Sequence, residues 1–281
     1  MFEILFKIKT MNILNSVVEN YCELPRILRK PMWQVWHRLL IRFDKDITVN
    51  FMNYGYNSLN GETPLSLKKD DEKNRYCIQL YDRVVRNNDL KNKDILEVGS
   101  GRGGGASYLA RYYSPKSYTG LDISSSIIDF CNNYYSVPGL FFVKGAAENL
   151  PFRNNSFDIV INIESARCYG DIKVFFHEVY RVLRPGGYFL LADMIKKDEV
   201  EDMHYNLRKG GFGIIENNNI TRNVINALGK DTARREELIK LKIPGILRSS
   251  FIQFAATSGT ERYLSFTNGK FEYWTFILKR S

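Results

Sequence analysis

Asp94-Ile-Leu-Glu-Val-Gly-Ser-Gly-Arg-Gly-Gly-Gly-Ala106 decides how this chain is read. It opens apolar and β-prone at Ile95, Leu96 and Val98, and closes on Gly99, Gly101, Gly103, Gly104 and Gly105. Residues 107–113 continue as a helix-like run. A strand that feeds a glycine turn and then a helix is the local form of a nucleotide-cofactor site. Glycine allows positive φ and close approach of the backbone to a ligand. The first amides of the helix then point at that ligand.

Outward from this stretch, strand and helix signals alternate. Apolar runs at 117–122, 140–144, 157–163 and 188–192 read as further strands, with helices expected over 70–90, 124–135 and 173–183. Pro185-Gly-Gly187 ends the last of these helices. Such interleaving means an α/β fold with a parallel, doubly wound sheet, whose buried strands are continuous apolar runs. The tail alternates differently. Tyr263, Ser265 and Thr267 precede Asn268-Gly269, and Phe271, Tyr273, Thr275 and Ile277 follow it. Asn-Gly between two alternating runs predicts a closing antiparallel hairpin.

The glycines alone do not separate a dinucleotide from a methyl donor. Glu97 does. A carboxylate inside a buried strand is costly unless paired. Beside a pyrophosphate it would repel; beside an ammonium or sulfonium it is matched. Asp122 ends the second strand, where a carboxylate can accept from both ribose hydroxyls. The other reading is a cap for the following helix near Ser124–Ser126, but the strand-end position of Asp122 favours ligand binding.

Taken together, these residues resemble a class I S-adenosylmethionine-dependent methyltransferase. The landmarks are Leu96-Glu-Val-Gly-Ser-Gly-Arg-Gly103, Gly120-Leu-Asp-Ile-Ser124, Gly145-Ala-Ala-Glu-Asn-Leu-Pro-Phe152, Phe157-Asp158 and Arg181-Val-Leu-Arg-Pro-Gly-Gly187. More narrowly, Asn53-Tyr-Gly-Tyr56, Arg75-Tyr-Cys-Ile-Gln-Leu-Tyr81, Gly103-Gly-Gly-Ala-Ser-Tyr108 and Cys168-Tyr-Gly170 are similar to the phthiotriolone and phenolphthiotriolone dimycocerosates methyltransferase family. That family O-methylates a hydroxyl on a large lipid, while sterol and tocopherol relatives with similar motifs methylate carbon. The resemblance implies a Rossmann-like, mostly parallel seven-stranded sheet with a C-terminal antiparallel hairpin and a helical N-terminal cap.

It also implies roles. Glu97, Gly99 and Gly101 would hold the methionine part of S-adenosylmethionine. Asp122 would take the ribose, with Ile123 packed on the adenine. Ala147 and Glu148 would border the adenine. The family usually carries Asp where Ala146 stands, which leaves a backbone group or Glu148 to take the adenine amine. Asn162 and Ile163 would lie beneath the methionine. Tyr54, Tyr56 and Gln79 would close over the ligand, with aromatic faces near the sulfonium.

Methyl transfer needs the acceptor aligned and water excluded, and a hydroxyl acceptor must also lose a proton. The segment 164–171 follows the fourth strand, where the acceptor should sit. Glu164 is the base candidate, although it could simply bridge backbone amides. Arg167 stands where relatives often carry His. It stays protonated, so it would instead lower the pKa of an acidic hydroxyl or bind a carboxylate. An apolar or lipid-like hydroxyl is the expected acceptor. C-methylation of a sterol or quinone-like ring and a non-catalytic scaffold are the alternatives.

Composition excludes other classes. The chain is 44% hydrophobic and 25% charged, as in ordinary globular domains. It has no apolar run near the roughly 20 residues of a transmembrane helix, and its N-terminal residues lack the order of a secretory signal. The four cysteines form no CxxC and no Cys/His cluster, so neither a metal site nor a disulfide framework is expected. These features point to the cytoplasm. The net charge of +9 contains no long basic run, which argues against nucleic acid. Much of the excess lies outside the cofactor core, leaving room for weak contact with a membrane surface. Residues 1–60 are expected to form a helical cap and lid, with Trp33 and Trp36 in an apolar stripe. Residues 61–281 are expected to form the body, with a cap insertion at about 196–250.

Overall fold

The computed structural model describes residues 43–44, 49–61 and 64–281. Residues 1–42 of the expected helical cap, with its tryptophan stripe, lie outside the described residues. In chain order the elements are α1 (Arg75–Val85), β1 (Asp94–Val98), α2 (Gly104–Tyr113), β2 (Ser117–Asp122), α3 (Ser125–Tyr134), β3 (Leu140–Lys144) and β4 (Phe157–Ile163). They continue with α4 (Ile172–Val182), β5 (Leu183–Lys196), α5 (Val200–Lys209), β6 (Phe212–Asn219), α6 (Thr221–Lys242), α7 (Arg248–Phe254), α8 (Glu261–Thr267) and β7 (Phe271–Arg280).

The strands form one sheet in the order β3-β2-β1-β4-β5-β7-β6. β1 to β5 pair in parallel, and β7 runs antiparallel to both β5 and β6. The chain winds outward from β1 to β3, then returns to lay β4 against the other side of β1. At that switch point the loops after β1 and β4 diverge and leave a crevice at the carboxyl ends of the strands.

Successive side chains of a strand point to opposite faces. Ile95 therefore packs into one apolar layer with Ile78, Leu80 and Tyr81 of α1, while Leu96 and Val98 join the other with Phe175, Phe176 and Val179 of α4. Glu97 shares the Ile95 face, which decides what it meets below. Among the described residues no helix is long and apolar enough to cross a membrane.

The tail differs from the expected hairpin. Tyr263, Ser265 and Thr267 belong to α8, not to a strand. Thr260 caps that helix, its side chain accepting from the Tyr263 N–H at 3.2 Å. Gly269, at φ +75, follows the last turn. Asn-Gly here is a helix stop rather than a hairpin turn, and the antiparallel partners of β7 come from far away in sequence. One of them, β6, lies within the region expected to be a cap. It begins directly after Gly211, whose φ of +89 closes α5.

Candidate functional site

A cavity opens over the carboxyl ends of β1, β2 and β4. Gly99, Gly101, Asp122, Ile123, Ala147, Glu148, Glu164 and Arg167 all line it. So do Asn50, Phe51, Met52 and Asn53 from the lid segment, and Tyr81 from α1. The turn after β1 is held tightly. Gly99 takes φ +79, and a Cβ there would fall 2.3 Å from Ser165 Oγ. A Cβ on Gly105 would fall 1.8 Å from the Tyr81 ring, so only glycine lets α1 approach α2 this closely.

Asp122 organises the floor. Its Oδ2 accepts from the Gly101 N–H at 3.1 Å and its Oδ1 from the Ser124 N–H at 2.9 Å. Ser124, not Asp122, is the N-cap of α3, so the helix-capping reading fails, while each Asp122 carboxylate oxygen keeps a further lone pair. Glu148, beside the cavity, accepts from the Gly170 N–H at 2.9 Å.

Glu97 does not line the cavity. It is 1% exposed and accepts from two phenols, Tyr81 at 2.7 Å and Tyr118 at 2.8 Å. Burial pushes its pKa from an ordinary 4.5 up to about 7, against the lowering effect of both phenols. Tyr81 alone links it to the cavity wall. Tyr54, Tyr56, Gln79 and Asn162 also stand outside the lining. Tyr54 rests its ring on Phe266, with centroids 5.5 Å apart, and Tyr56 donates its N–H to the Tyr76 carbonyl. Gln79 is half-buried on α1. Asn162 lies under the floor, its Nδ2 within 2.7–3.0 Å of Val98 O, Ser165 Oγ and Tyr169 OH. The closing face that sequence assigned to Tyr54, Tyr56 and Gln79 is built instead by Asn50–Asn53 and Tyr81.

Opposite the glycine turn sits a buried charge cluster. Glu164 follows β4 in a left-handed conformation, φ +54, which costs a non-glycine residue on the order of 1 kcal/mol. Its Oε1 accepts from the Tyr54 N–H at 2.7 Å and the Tyr273 hydroxyl at 3.0 Å. Its Oε2 lies 3.5 Å from Arg167. Burial raises the Glu164 pKa even though Arg167 pulls it down. Arg167 is bound more closely to Asp193, which accepts from its N–H at 3.0 Å and from its guanidinium. Burial works against the Arg167 charge, and Asp193 together with Cys168, Tyr54 and Glu164 more than offsets it, so its pKa stays well above the ordinary value.

Sequence reasoning placed a lid at 1–60 that includes Asn50–Asn53, but missed Asp193, Tyr81 and the pair Asp44–Arg102. Asp193 carried the same signal as Glu97, a single carboxylate ending an apolar run. Asp44 carried none, since its partner is distant in sequence.

The Glu97 shift has a thermodynamic consequence. A carboxyl whose folded pKa is raised contributes stability that is complete below its unfolded pKa and is lost as pH rises through the folded one. Stability should therefore fall between about pH 4.5 and 7 by up to about 3 kcal/mol from this group. Thermal melts of wild type and Glu97→Gln across that window check it. Parallel curves would remove the assignment.

The residues 96–191 match the model of a methyltransferase domain family. The chain is 38% identical over 237 residues to phthiotriol/phenolphthiotriol dimycocerosates methyltransferase of Mycobacterium tuberculosis, covering 84% of this chain and 87% of that one. It is 40% identical over 214 residues to fatty-acid O-methyltransferase of Mycolicibacterium smegmatis, covering 75% and 77%. Among solved structures, the [4+2]-cyclase SpnF superposes with a TM-score of 0.68 at 18% identity, covering 89% of this chain and 94% of that one. Geranyl diphosphate C-methyltransferase from Streptomyces coelicolor gives 0.63 at 15%, covering 92% and 100%. These two likenesses concern the fold. The sequence matches carry more, and by them the chain belongs to the S-adenosylmethionine-dependent methyltransferases.

Proposed function

We propose that the protein transfers a methyl group to the hydroxyl of an apolar, lipid-like small molecule. The observation that carries this reading is Glu164, a buried carboxylate at the cavity wall with one oxygen engaged and the other 3.5 Å from a guanidinium.

The donor set at the cavity fits S-adenosylmethionine. Asp122 offers acceptor lone pairs at a strand end for a ribose diol, and Ile123 and Ala147 offer apolar surface for an adenine. Gly99 and Gly101 keep the floor free of side chains for the methionine part, and Glu148 stands near the adenine edge. Glu97, a carboxyl with its pKa raised to about 7, acts through the Tyr81 hydroxyl, one phenol away from the cavity. Asn162 supports the floor from below. Tyr54, Tyr56 and Gln79 brace the lid from behind. When bound, the cofactor supplies an electrophilic methyl on a sulfonium.

This chain's part is to align the acceptor, exclude water and take its proton. Glu164 receives that proton at Oε2, since Tyr54 and Tyr273 occupy Oε1. Arg167 keeps the carboxylate ionised above its raised pKa and steadies the developing negative charge on the acceptor oxygen. Within the expected cap and lid, Asn50–Asn53 cover the cavity, and the body, 61–281, supplies the rest of its lining. The names of the similar proteins, a dimycocerosates methyltransferase and a fatty-acid O-methyltransferase, support a lipid-like acceptor.

The test combines calorimetry with product analysis. S-adenosylmethionine should bind, and a panel of lipid alcohols and phenols should yield O-methyl products by mass spectrometry. Glu164→Gln should lower kcat by roughly 10²–10⁴ while leaving cofactor affinity unchanged, as expected for a general base. A methyl found on carbon, or full activity in Glu164→Gln, overturns the reading.

A further inference from the structure

A second cavity lies across the lid from the cofactor cavity. Phe51 and Met52 line both, so these two side chains form the partition between them. On the far side the walls come from Leu238 and Ile239 of α6 and from Phe251 and Phe254 of α7. Ile239, Ile243 and Phe251 form a small apolar cluster separate from the two layers that sandwich the sheet. Packing of the sheet therefore does not depend on this space being filled.

Arg235 fixes the shape of the compartment. It donates to the carbonyl oxygens of Asn53, Tyr54 and Ala255, tying the lid to α6 and to the end of α7. Asp231 in turn holds Arg235 at 2.8 Å. The guanidinium spends its donors on the frame, and although Asp44, Arg234 and Lys242 also reach the cavity, the wall facing Phe51 and Phe254 is mostly apolar. Such a space offers little to a polar ligand and gains with every methylene buried. Met52 is suited to a passage, because an unbranched thioether repacks at low cost.

We propose that this second cavity takes the aliphatic chain of the acceptor, which passes Met52 to bring its hydroxyl to Glu164. The inference rests on the hydroxyl-acceptor reading and adds its specificity. The acceptor is an amphiphile with one unbranched chain, and α6 and α7 set the length accepted.

Two measurements on the full chain test it. The first is binding of cis-parinaric acid, followed by fluorescence, in wild type and Leu238→Trp, with cofactor calorimetry on the same samples as the check on folding. Leu238 is half-buried, and an indole there would fill the cavity. The second is methylation of unbranched 1-alkanols. In the wild type KM should fall roughly tenfold for every two methylenes added, until the cavity is full. Leu238→Trp should flatten that dependence and weaken parinaric acid binding by about tenfold or more, with cofactor affinity unchanged. Phe254→Ala, which enlarges the same space from another wall, should move the preferred chain length upward. Equal parinaric acid binding in wild type and Leu238→Trp, with the cofactor still bound, overturns the chain site. So does a KM that ignores chain length. Loss of parinaric acid binding in Leu238→Trp with no alkanol methylated keeps the chain site and removes the hydroxyl reading instead.

Discussion

Asp44→Ala should destabilise the protein by about 3–5 kcal/mol, the range for stripping one partner from a buried ion pair. Asp44 and Arg102 are each 2% exposed. Asp44 Oδ2 accepts from Arg102 at 2.8 Å and from the Val49 N–H at 2.9 Å, and the Asp44 carbonyl accepts from Arg102 at 3.3 Å. The guanidinium also lies 4.9 Å from the centre of the Phe130 ring. Without the carboxylate a charged group stays in an apolar setting with, among the described residues, the ring and a carbonyl for company, and its desolvation goes uncompensated. The effect extends to ligand binding, because Arg102 belongs to the glycine turn that floors the cavity proposed for the cofactor. Each 1.4 kcal/mol needed to restore the turn costs about tenfold in cofactor affinity. Urea titration and cofactor calorimetry measure the two effects. Asp44→Asn, which keeps an acceptor, should show less of both. A loss below about 0.5 kcal/mol, as for an ordinary surface change, would mean that the pair does not anchor the turn.

What could be read from sequence follows the range of the interactions involved. β1 to β5 were legible because buried parallel strands are continuous apolar runs bounded by local signals. Glu97 was legible as an anomaly, yet its direction was not. Strand periodicity puts it on the Ile95 face, under α1, where Tyr81 and Tyr118 reach it before any ligand can. β6 was missed because an edge strand half open to solvent ends in Glu216-Asn217-Asn218-Asn219, which carries little apolar alternation. α8 was read as a strand because polar and apolar residues alternate over its short length. The Thr260 cap and Gly269 decide between the periods, and only tertiary burial of Arg262 and Phe266 makes that decision visible. The lid could be placed by motif but not resolved residue by residue. Its working face is set by the hydrogen bond from the Gly104 N–H to the Asn50 carbonyl at 3.2 Å, a contact between segments far apart in the chain.

The same long-range logic governs the acid–base cluster and the other large effect. Asp193→Ala should cost about 3–5 kcal/mol of stability, and kcat should fall further than cofactor affinity. Asp193 is 1% exposed and accepts from the Arg167 N–H, the Arg167 guanidinium and the Met194 N–H at 2.8 Å. Removing it leaves buried donors unsatisfied and one buried cation with, among the described residues, one carboxylate nearby. That carboxylate is Glu164, now 3.5 Å from Arg167. Freed from Asp193, the guanidinium can close on Glu164 and hold its Oε2, lowering its pKa and blocking the atom proposed to take the proton. On that proposal Asp193 is a positioning residue that keeps Arg167 off the base. Two readouts separate this from a purely structural role. The pH–rate profile of Asp193→Ala should move its lower limb to more acidic pH, following the Glu164 pKa downward. The double variant Asp193→Ala/Arg167→Met should recover stability relative to Asp193→Ala, because removing both charges leaves none uncompensated. If the double variant is no more stable than the single one, Arg167 is not the group that Asp193 neutralises.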